Sequence, residues 1–330
     1  MRRMLSTIFC SALLAISLTV LLPLHQAEAA FPEKPITIVV PWPAGQSSDV
    51  CYRILAEMAQ EEMGQPIVVT NIVGGGGTKG TLFVKNSEPD GYTLLNTWVA
   101  PQVLAPIFNP DVGYTRHDFE ALILVQINPF TLMVKADHPA KNLKEFVQWA
   151  KGQNRNLNVG VCAAVSLPRM VMEQFLKASG IENYNAVPFP GCGADNVKGL
   201  FDGSLDYTTG VLIAEKIFGE QVRSLAIFMD ERVPFASHIP TAKEQDYSTG
   251  WGETAAGWSG LIAPAGTPKD RLEKLTAVFT KTVQSDEFLE RLNKAGIVRK
   301  YLPTDQFKQL WDDSHRLLKP SVERLLKKSE

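Results

Sequence analysis

From residue 36 onward the chain alternates short β-branched runs with segments that carry a helical apolar stripe, and this alternation narrows its fold more than any other feature. ITIVV (36–40) is apolar at every position, which suits a strand buried on both faces. Ser47, Ser48 or Asp49 is placed to cap the following helix, whose stripe is Val50, Ile54, Leu55, Met58 and Met63. Gly64 ends that helix, and IVVTNIV (67–73) reads as the next strand. A glycine run, a short helix near 81–86 and the turn-plus-strand PDGYTLLNTW (89–98) complete a right-handed crossover layout.

A second set starts at TLMVKAD (131–137). A helix is expected over 142–152, a strand over 157–161 and a helix over 166–180, with further strands at 184–189, 205–210 and 222–229. WSGLIAPAGTP (258–268) gives a strand and turn, and three helices follow at 269–284, 286–295 and 304–328. The order predicts an α/β chain of two lobes, each a mostly parallel sheet flanked by helices, whose C-terminal part returns to the first lobe. The crossings are expected near 122–129 and 253–259. Domain 1 is then 30–126 with 256–330, and domain 2 is 127–255.

Residues 1–29 precede this pattern. Arg2 and Arg3 form a basic start, an apolar run extends from Leu5 to Leu24, and Ala27-Glu28-Ala29 has the small-x-small pattern of a signal-peptidase site. An N-terminal membrane anchor is the alternative. No later segment reaches the roughly 18 unbroken apolar residues of a membrane span. Removal of Arg2, Arg3 and Glu28 moves the formal net charge from −2 to −3. That balance argues against nucleic-acid binding, which requires a basic face. Cys51, Cys162 and Cys192 remain after cleavage, too few for a disulfide scaffold and without C-x-x-C metal spacing. In an oxidising compartment they allow at most one bridge and one free thiol.

Gly75-Gly76-Gly77-Thr78-Lys79-Gly80 fits G-x-G-x-x-G between a strand and a helix. The next strand ends LLNTWVAPQ, without the acid that would hold a ribose, so no dinucleotide and no other cofactor is expected. Thr81 after Gly80 excludes a Walker A loop. A plain glycine turn and close backbone approach to a small anion remain. Gly45-Gln46-Ser47-Ser48 also lies between a buried strand and a helix, with no His nearby to activate a serine and no Lys or Arg nearby to neutralise a phosphate. Helix-start amides and serine hydroxyls there make an uncharged anion-binding corner beside the glycine run, at the carboxyl ends of adjacent strands. Trp42 opens this loop. His117, His138, His238 and His315 lie away from it, and the acids, Asp206 included, show no paired metal-ligand spacing, so neither catalysis nor a metal is expected. Cys162 and Cys192 both sit at strand tips. They read as small loop residues, as a disulfide between the tips, or as a reactive thiol.

FPEKPITIVVPWPAGQSSDV, MGQPIVVTNIVGGGGTKG and PDGYTLL, followed later by GLIAPAGTPKDRLEKL (260–275) and RVPFASHIPTAKEQDY (232–247), resemble the solute-binding receptors of tripartite tricarboxylate transporters, the Bug family. The resemblance spans essentially the whole mature chain. It implies a two-lobed periplasmic-binding-protein fold with the ligand in the interdomain cleft, an exported monomer that is not an enzyme, and a small organic acid handed to membrane permease subunits. The acid would be a di- or tricarboxylate or an aromatic carboxylate. Carried over by position, the ligand loops are Pro43–Ser48 and Gly74–Thr78; the expected ligand residues in them are Pro43, Ala44, Gly45, Gln46, Ser47 and Ser48, then Gly75, Gly76, Gly77 and Thr78, and Trp42 joins them because it opens the first loop.

The second lobe departs from the family pattern. Where members typically read Ser-Ser-Gly-x-Gly-Ser followed by His, this chain has Cys162, Ala163 and only Ser166 of the hydroxyls, with Arg169 at the His position. In the next loop Cys192 stands at a small-residue position beside Gly193. These residues complete the expected ligand set, and Cys162 and Cys192 are the one pair of strand-tip cysteines available for a bridge, beside the plain-loop and reactive-thiol readings. Gly210 stands where an acid is frequent, which argues against an amino-acid ligand. Two rivals follow: an exported enzyme on the same fold using a loop cysteine, and a binding protein that serves a signalling partner.

Overall fold

In the computed structural model the described residues are 31–162, 166–189 and 194–327. The described residues before Lys34 belong to one unit, and those from Lys34 onward belong to a second. In chain order the second opens with β1 (Ile36–Val40), α1 (Ser47–Met63), β2 (Ile67–Asn71), α2 (Thr78–Lys85), β3 (Thr93–Asn96), the short α3 (Ala105–Phe108) and β4 (Phe119–Asn128). It continues with β5 (Phe130–Lys135), α4 (Leu143–Lys151), β6 (Leu157–Cys162), α5 (Leu167–Ser179), β7 (Tyr184–Phe189), α6 (Ala194–Phe201), β8 (Tyr207–Val211), α7 (Ile213–Phe218) and β9 (Val222–Ile227). It closes with β10 (Gly257–Pro264), α8 (Lys269–Gln284), α9 (Asp286–Lys294), β11 (Val298–Leu302) and α10 (Thr304–Lys327).

These strands make two sheets flanked by helices, in the orders β11-β4-β10-β3-β1-β2 and β7-β6-β8-β5-β9. Both are mixed, where the sequence pattern predicts mostly parallel sheets. β1 pairs in parallel with β2 and β3, and β6 with β7 and β8. The strands that carry the chain across and back run the other way, β10 antiparallel to β3 and β4 and β5 to β8 and β9, and the edge strand β11 is likewise antiparallel to β4. A βαβ unit forces parallel pairing, while a strand entering directly from the other sheet has no such constraint.

Only Pro129 separates β4 in the first sheet from β5 in the second. The return strand β10 lies against β4 with Gly257 opposite Asn128, so the outward and return crossings are neighbours. β4 and β11 are additions to the expected elements. Beneath the first sheet Trp258, Phe307 and Trp311 pack together with centroids 5.5–6.1 Å apart. In the second, Phe146 meets Tyr207 and Phe175, and Phe175 meets Phe228. Such aromatic contacts hold the sheets rigid enough to present their loops.

Candidate functional site

The β1–β2 register runs Ile36 opposite Ile67 to Val40 opposite Asn71, so both strands end together and release their loops side by side. In the first loop the cap position of α1 is Gln46, not one of the three expected hydroxyl or acidic residues, and its side chain makes no capping hydrogen bond. Helical geometry begins at Ser47. Asp49, in the first turn, reaches back instead, and its Oδ2 accepts the Gly45 N–H at 2.8 Å. The amides of Ser47 and Ser48 make no hydrogen bond among the described residues, as the opening positions of a helix require unless something caps them.

Asp49 is 2% exposed, and two side chains, Arg53 and Asn71, hold the loop through it. Arg53 Nε donates to both its carboxylate oxygens at 3.0 Å, and Asn71 Nδ2 donates to Oδ1 at 2.9 Å. The same Asn71 nitrogen donates to the Trp42 carbonyl at 2.9 Å, and Arg53 Nη2 donates to Asn71 Oδ1 at 2.9 Å. Burial pushes the Asp49 carboxyl up, but the donors from Arg53, Gly45 and Asn71 outweigh it and hold its pKa below the usual aspartate range. Arg53 is thus engaged by Asp49 and Asn71, and the pair leaves the corner without net charge.

β4 supplies two more residues here. Asn128 Nδ2 donates to Ser47 Oγ at 3.3 Å and Gln126 Nε2 to Ser48 Oγ at 3.4 Å. Each serine therefore accepts from the protein and keeps its own O–H proton to donate. Behind them Ser259 on β10 receives Asn96 Nδ2 at 2.7 Å and lies 3.2 Å from the Tyr52 hydroxyl. Trp42 Nε1, Asn96 Oδ1, Thr97 Oγ1 and Gln126 Oε1 are buried without a hydrogen-bond partner among the described residues.

The second loop is held by handedness. Gly74, Gly75, Gly76 and Gly77 all have positive φ, from +58° to +139°. A Cβ on Gly75 would fall 2.2 Å from Thr78 Oγ1, which donates to the Gly75 carbonyl at 2.8 Å, whereas one on Gly76 would meet nothing within 4 Å. The amides of Gly75 and Gly76 make no hydrogen bond among the described residues. Gly80 does different work: a Cβ there would stand 2.9 Å from both the Ile72 carbonyl oxygen and Pro41 Cβ, so its absence lets α2 close onto the strand ends.

In the second sheet β6 ends at Cys162, opposite Phe189 of β7. Cys162 is buried and disulfide-bonded, so it offers no thiolate, while Cys51 is a free, buried thiol whose pKa burial drives up. Ala163, Cys192 and Gly193 lie outside the described residues. Ser166 caps α5, with Oγ accepting the Arg169 N–H at 3.3 Å. The Arg169 guanidinium turns along its own helix to Glu173, 3.1 Å away, and lines a surface hollow with Glu182, Tyr184 and Asn185 at the opening residues of β7 rather than at its carboxyl end. At Gly210 the space a side chain would enter is taken by Met133, whose Cε lies 3.1 Å from where a Cβ would stand.

Among the described residues no group of three or more His, Cys, Asp or Glu is placed to hold a metal ion. Asp49, Arg53, Asn71, Gln126 and Asn128 are the site residues that sequence reasoning missed. The Asp49–Arg53 spacing of one helical turn was a readable signal; the other three reach the site only through strand pairing.

The model of the tripartite tricarboxylate transporter family receptor matches residues 51–325, and the chain belongs to that family of solute-binding proteins. A relative from Cupriavidus necator, the UPF0065 protein in the gbd 5' region, is 28% identical over 309 residues, covering 91% of this chain and 90% of its own. A TctC solute-binding protein from Polaromonas superposes with a TM-score of 0.76 at 24% identity, over 90% of this chain and 99% of that one. Rpa4515 of R. palustris, solved with adipate, gives 0.70 at 27% identity over 89% and 98%. MatC of Rhodopseudomonas palustris, solved with malate, gives 0.63 at 25% identity over 89% and 98%.

Proposed function

We propose that this protein captures a small organic carboxylate between its two sheets and delivers it to a tripartite tricarboxylate-type membrane permease. The observation that carries this is the pair of uncharged corners at the ends of β1 and β2, where the amides of Ser47, Ser48, Gly75 and Gly76 find no acceptor among the described residues. Such groups bind a carboxylate through hydrogen bonds without a formal counter-charge. The relatives solved with malate and adipate support the ligand class. Trp42 to Ser48 and Gly75 to Thr78 are assigned to the first wall of this site, and Cys162, Ala163, Ser166, Cys192 and Gly193 are assigned to the second by their place in the sequence. Arg169, directed at Glu173, is the weakest member of the set.

The lobes are assigned to 30–126 with 256–330 and to 127–255, hinging where β4 and β10 lie side by side. Residues 1–29 are assigned as a leader removed on export to the periplasm, so that N-terminal sequencing of the exported protein starts at Ala30. Cys192 is assigned as the disulfide partner of Cys162. Denatured, unreduced mature protein then shows one free thiol, Cys51; three free thiols contradict the bridge.

A thermal-shift series on the mature protein tests the binding role. A di- or tricarboxylate or an aromatic carboxylate present at 100 times its dissociation constant adds about 2.7 kcal/mol of stability. Stabilisation by amino acids alone, or by no acid at all, contradicts the proposal.

A further inference from the structure

The loop after β3 links the glycine loop to the return crossing. At one end Pro101 packs on the glycine run, where a Cβ on Gly77 would fall 3.0 Å from Pro101 Cγ. At the other, a Cβ on Gly257 would fall 2.7 Å from Trp98 Cζ2 and 3.2 Å from Cη2. The six-membered ring of this indole therefore fills the place of the missing Gly257 side chain.

The strand register fixes which side of the sheet that is. Gly257 and Ser259 are two apart on β10 and stand opposite Asn128 and Gln126 of β4, so all of them face one side. It is the side of α1: Asn128 reaches Ser47, Gln126 reaches Ser48, and Ser259 lies beside the Tyr52 hydroxyl. Trp258, between the two β10 residues, points the other way, onto Phe307 and Trp311. The Trp98 ring thus lies on the α1 side of the crossing, over the glycine that stands opposite Asn128. It is also held there: the Trp98 N–H donates to Oε1 of the buried Gln102 at 2.8 Å, and Gln102 Nε2 donates to Thr81 Oγ1 at 3.0 Å. Trp98 is only half-buried. Amides that hold a carboxylate are blind to the body attached to it, whereas a fixed indole beside them favours an aromatic body through its π-face.

We propose, resting on the carboxylate reading above, that Trp98 is the specificity-determining residue of the site and that the ligand is an aromatic carboxylate whose ring stacks on this indole. Calorimetry on the mature protein with phenylacetate, cyclohexylacetate, malate and adipate tests it. Phenylacetate should bind about threefold or more tighter than cyclohexylacetate, although burial alone favours the saturated, more apolar ring. It should also bind tighter than malate and adipate. Trp98→Leu should erase the preference for phenylacetate over cyclohexylacetate and Trp98→Phe should keep it, with circular dichroism checking both folds. Should Trp98→Leu fail to fold, the wild-type preference and Trp98→Phe decide. Phenylacetate binding no tighter than cyclohexylacetate, malate or adipate binding tighter than phenylacetate, or an unchanged preference in Trp98→Leu overturns this inference and leaves the carboxylate reading in place. Binding of none of these acids overturns both.

Discussion

The loops after β1 and β2 leave adjacent parallel strands at the same level and both expose bare amides, yet they are held in different ways. The first is fixed by a buried cluster in which Asp49 takes the Gly45 amide while Arg53 and Asn71 hold Asp49. The second has no such clamp among the described residues and relies on four glycines in conformations that other residues adopt at a cost. A charged clamp can be loosened by protonation, whereas a glycine loop can be deformed only by adding atoms. The two corners should therefore fail under different perturbations, and that difference is measurable.

The largest expected effect comes from Gly80→Val. Its side chain would meet a backbone carbonyl and Pro41, neither of which can swing away, so α2 must shift from the strand ends. Destabilisation of about 3 kcal/mol is expected in urea unfolding. A loss under about 1 kcal/mol would mean that helix and strand ends are less tightly coupled than these distances imply.

Asp49→Asn comes next and separates the two loops. Loss of the charge-assisted hydrogen bonds should cost about 2 kcal/mol at neutral pH. Because the folded pKa of Asp49 is lowered, its stabilisation is fully present above the unfolded aspartate value of about 3.9 and is lost as pH falls toward the lower folded value. The stability gap between wild type and variant should thus shrink as the pH falls below about 4. A gap that is constant with pH would place the effect in packing rather than in charge.

Gly76→Val has a smaller expected effect on stability than either and a clear one on binding. The side chain meets nothing within 4 Å, and the left-handed backbone costs about 1–2 kcal/mol. On the proposed site, ligand affinity should fall at least tenfold, about 1.4 kcal/mol, because the added atoms would stand where the ligand is proposed to approach bare backbone. Unchanged affinity would reduce the glycine run to a turn.

The contrast between the loops also marks how much the sequence disclosed. The glycine loop was legible because its signal is local: consecutive residues of one type between a strand and a helix. The clamp was only partly legible. Asp49 and Arg53 are one turn apart, but Asn71 enters from the next strand, and the three serve one loop only because Val40 and Asn71 end in register. Gln126 and Asn128 were hidden for another reason. FEALILVQIN reads as the approach to a crossing, yet it forms β4, and the polar residues that end it meet the start of α1. β11, VRKYL, escapes a sequence reading because an edge strand rich in charged residues carries little apolar alternation. The helix start at Ser47 instead of after a serine cap follows from Asp49 satisfying a loop amide from inside the helix.

The ligand's carboxylate rests, on this reading, on uncharged donors at the start of α1. Ser47→Asp tests that most directly, because one substitution should move two measurements in opposite senses. An acid in the first turn of a helix favours the helix, so circular dichroism and thermal unfolding should show the fold retained, with stability equal or raised by up to about 1 kcal/mol. The same charge would repel a bound anion, so calorimetry with the carboxylate found by the thermal-shift series should show no detectable binding. A folded Ser47→Asp protein that binds this carboxylate with wild-type affinity would contradict the account.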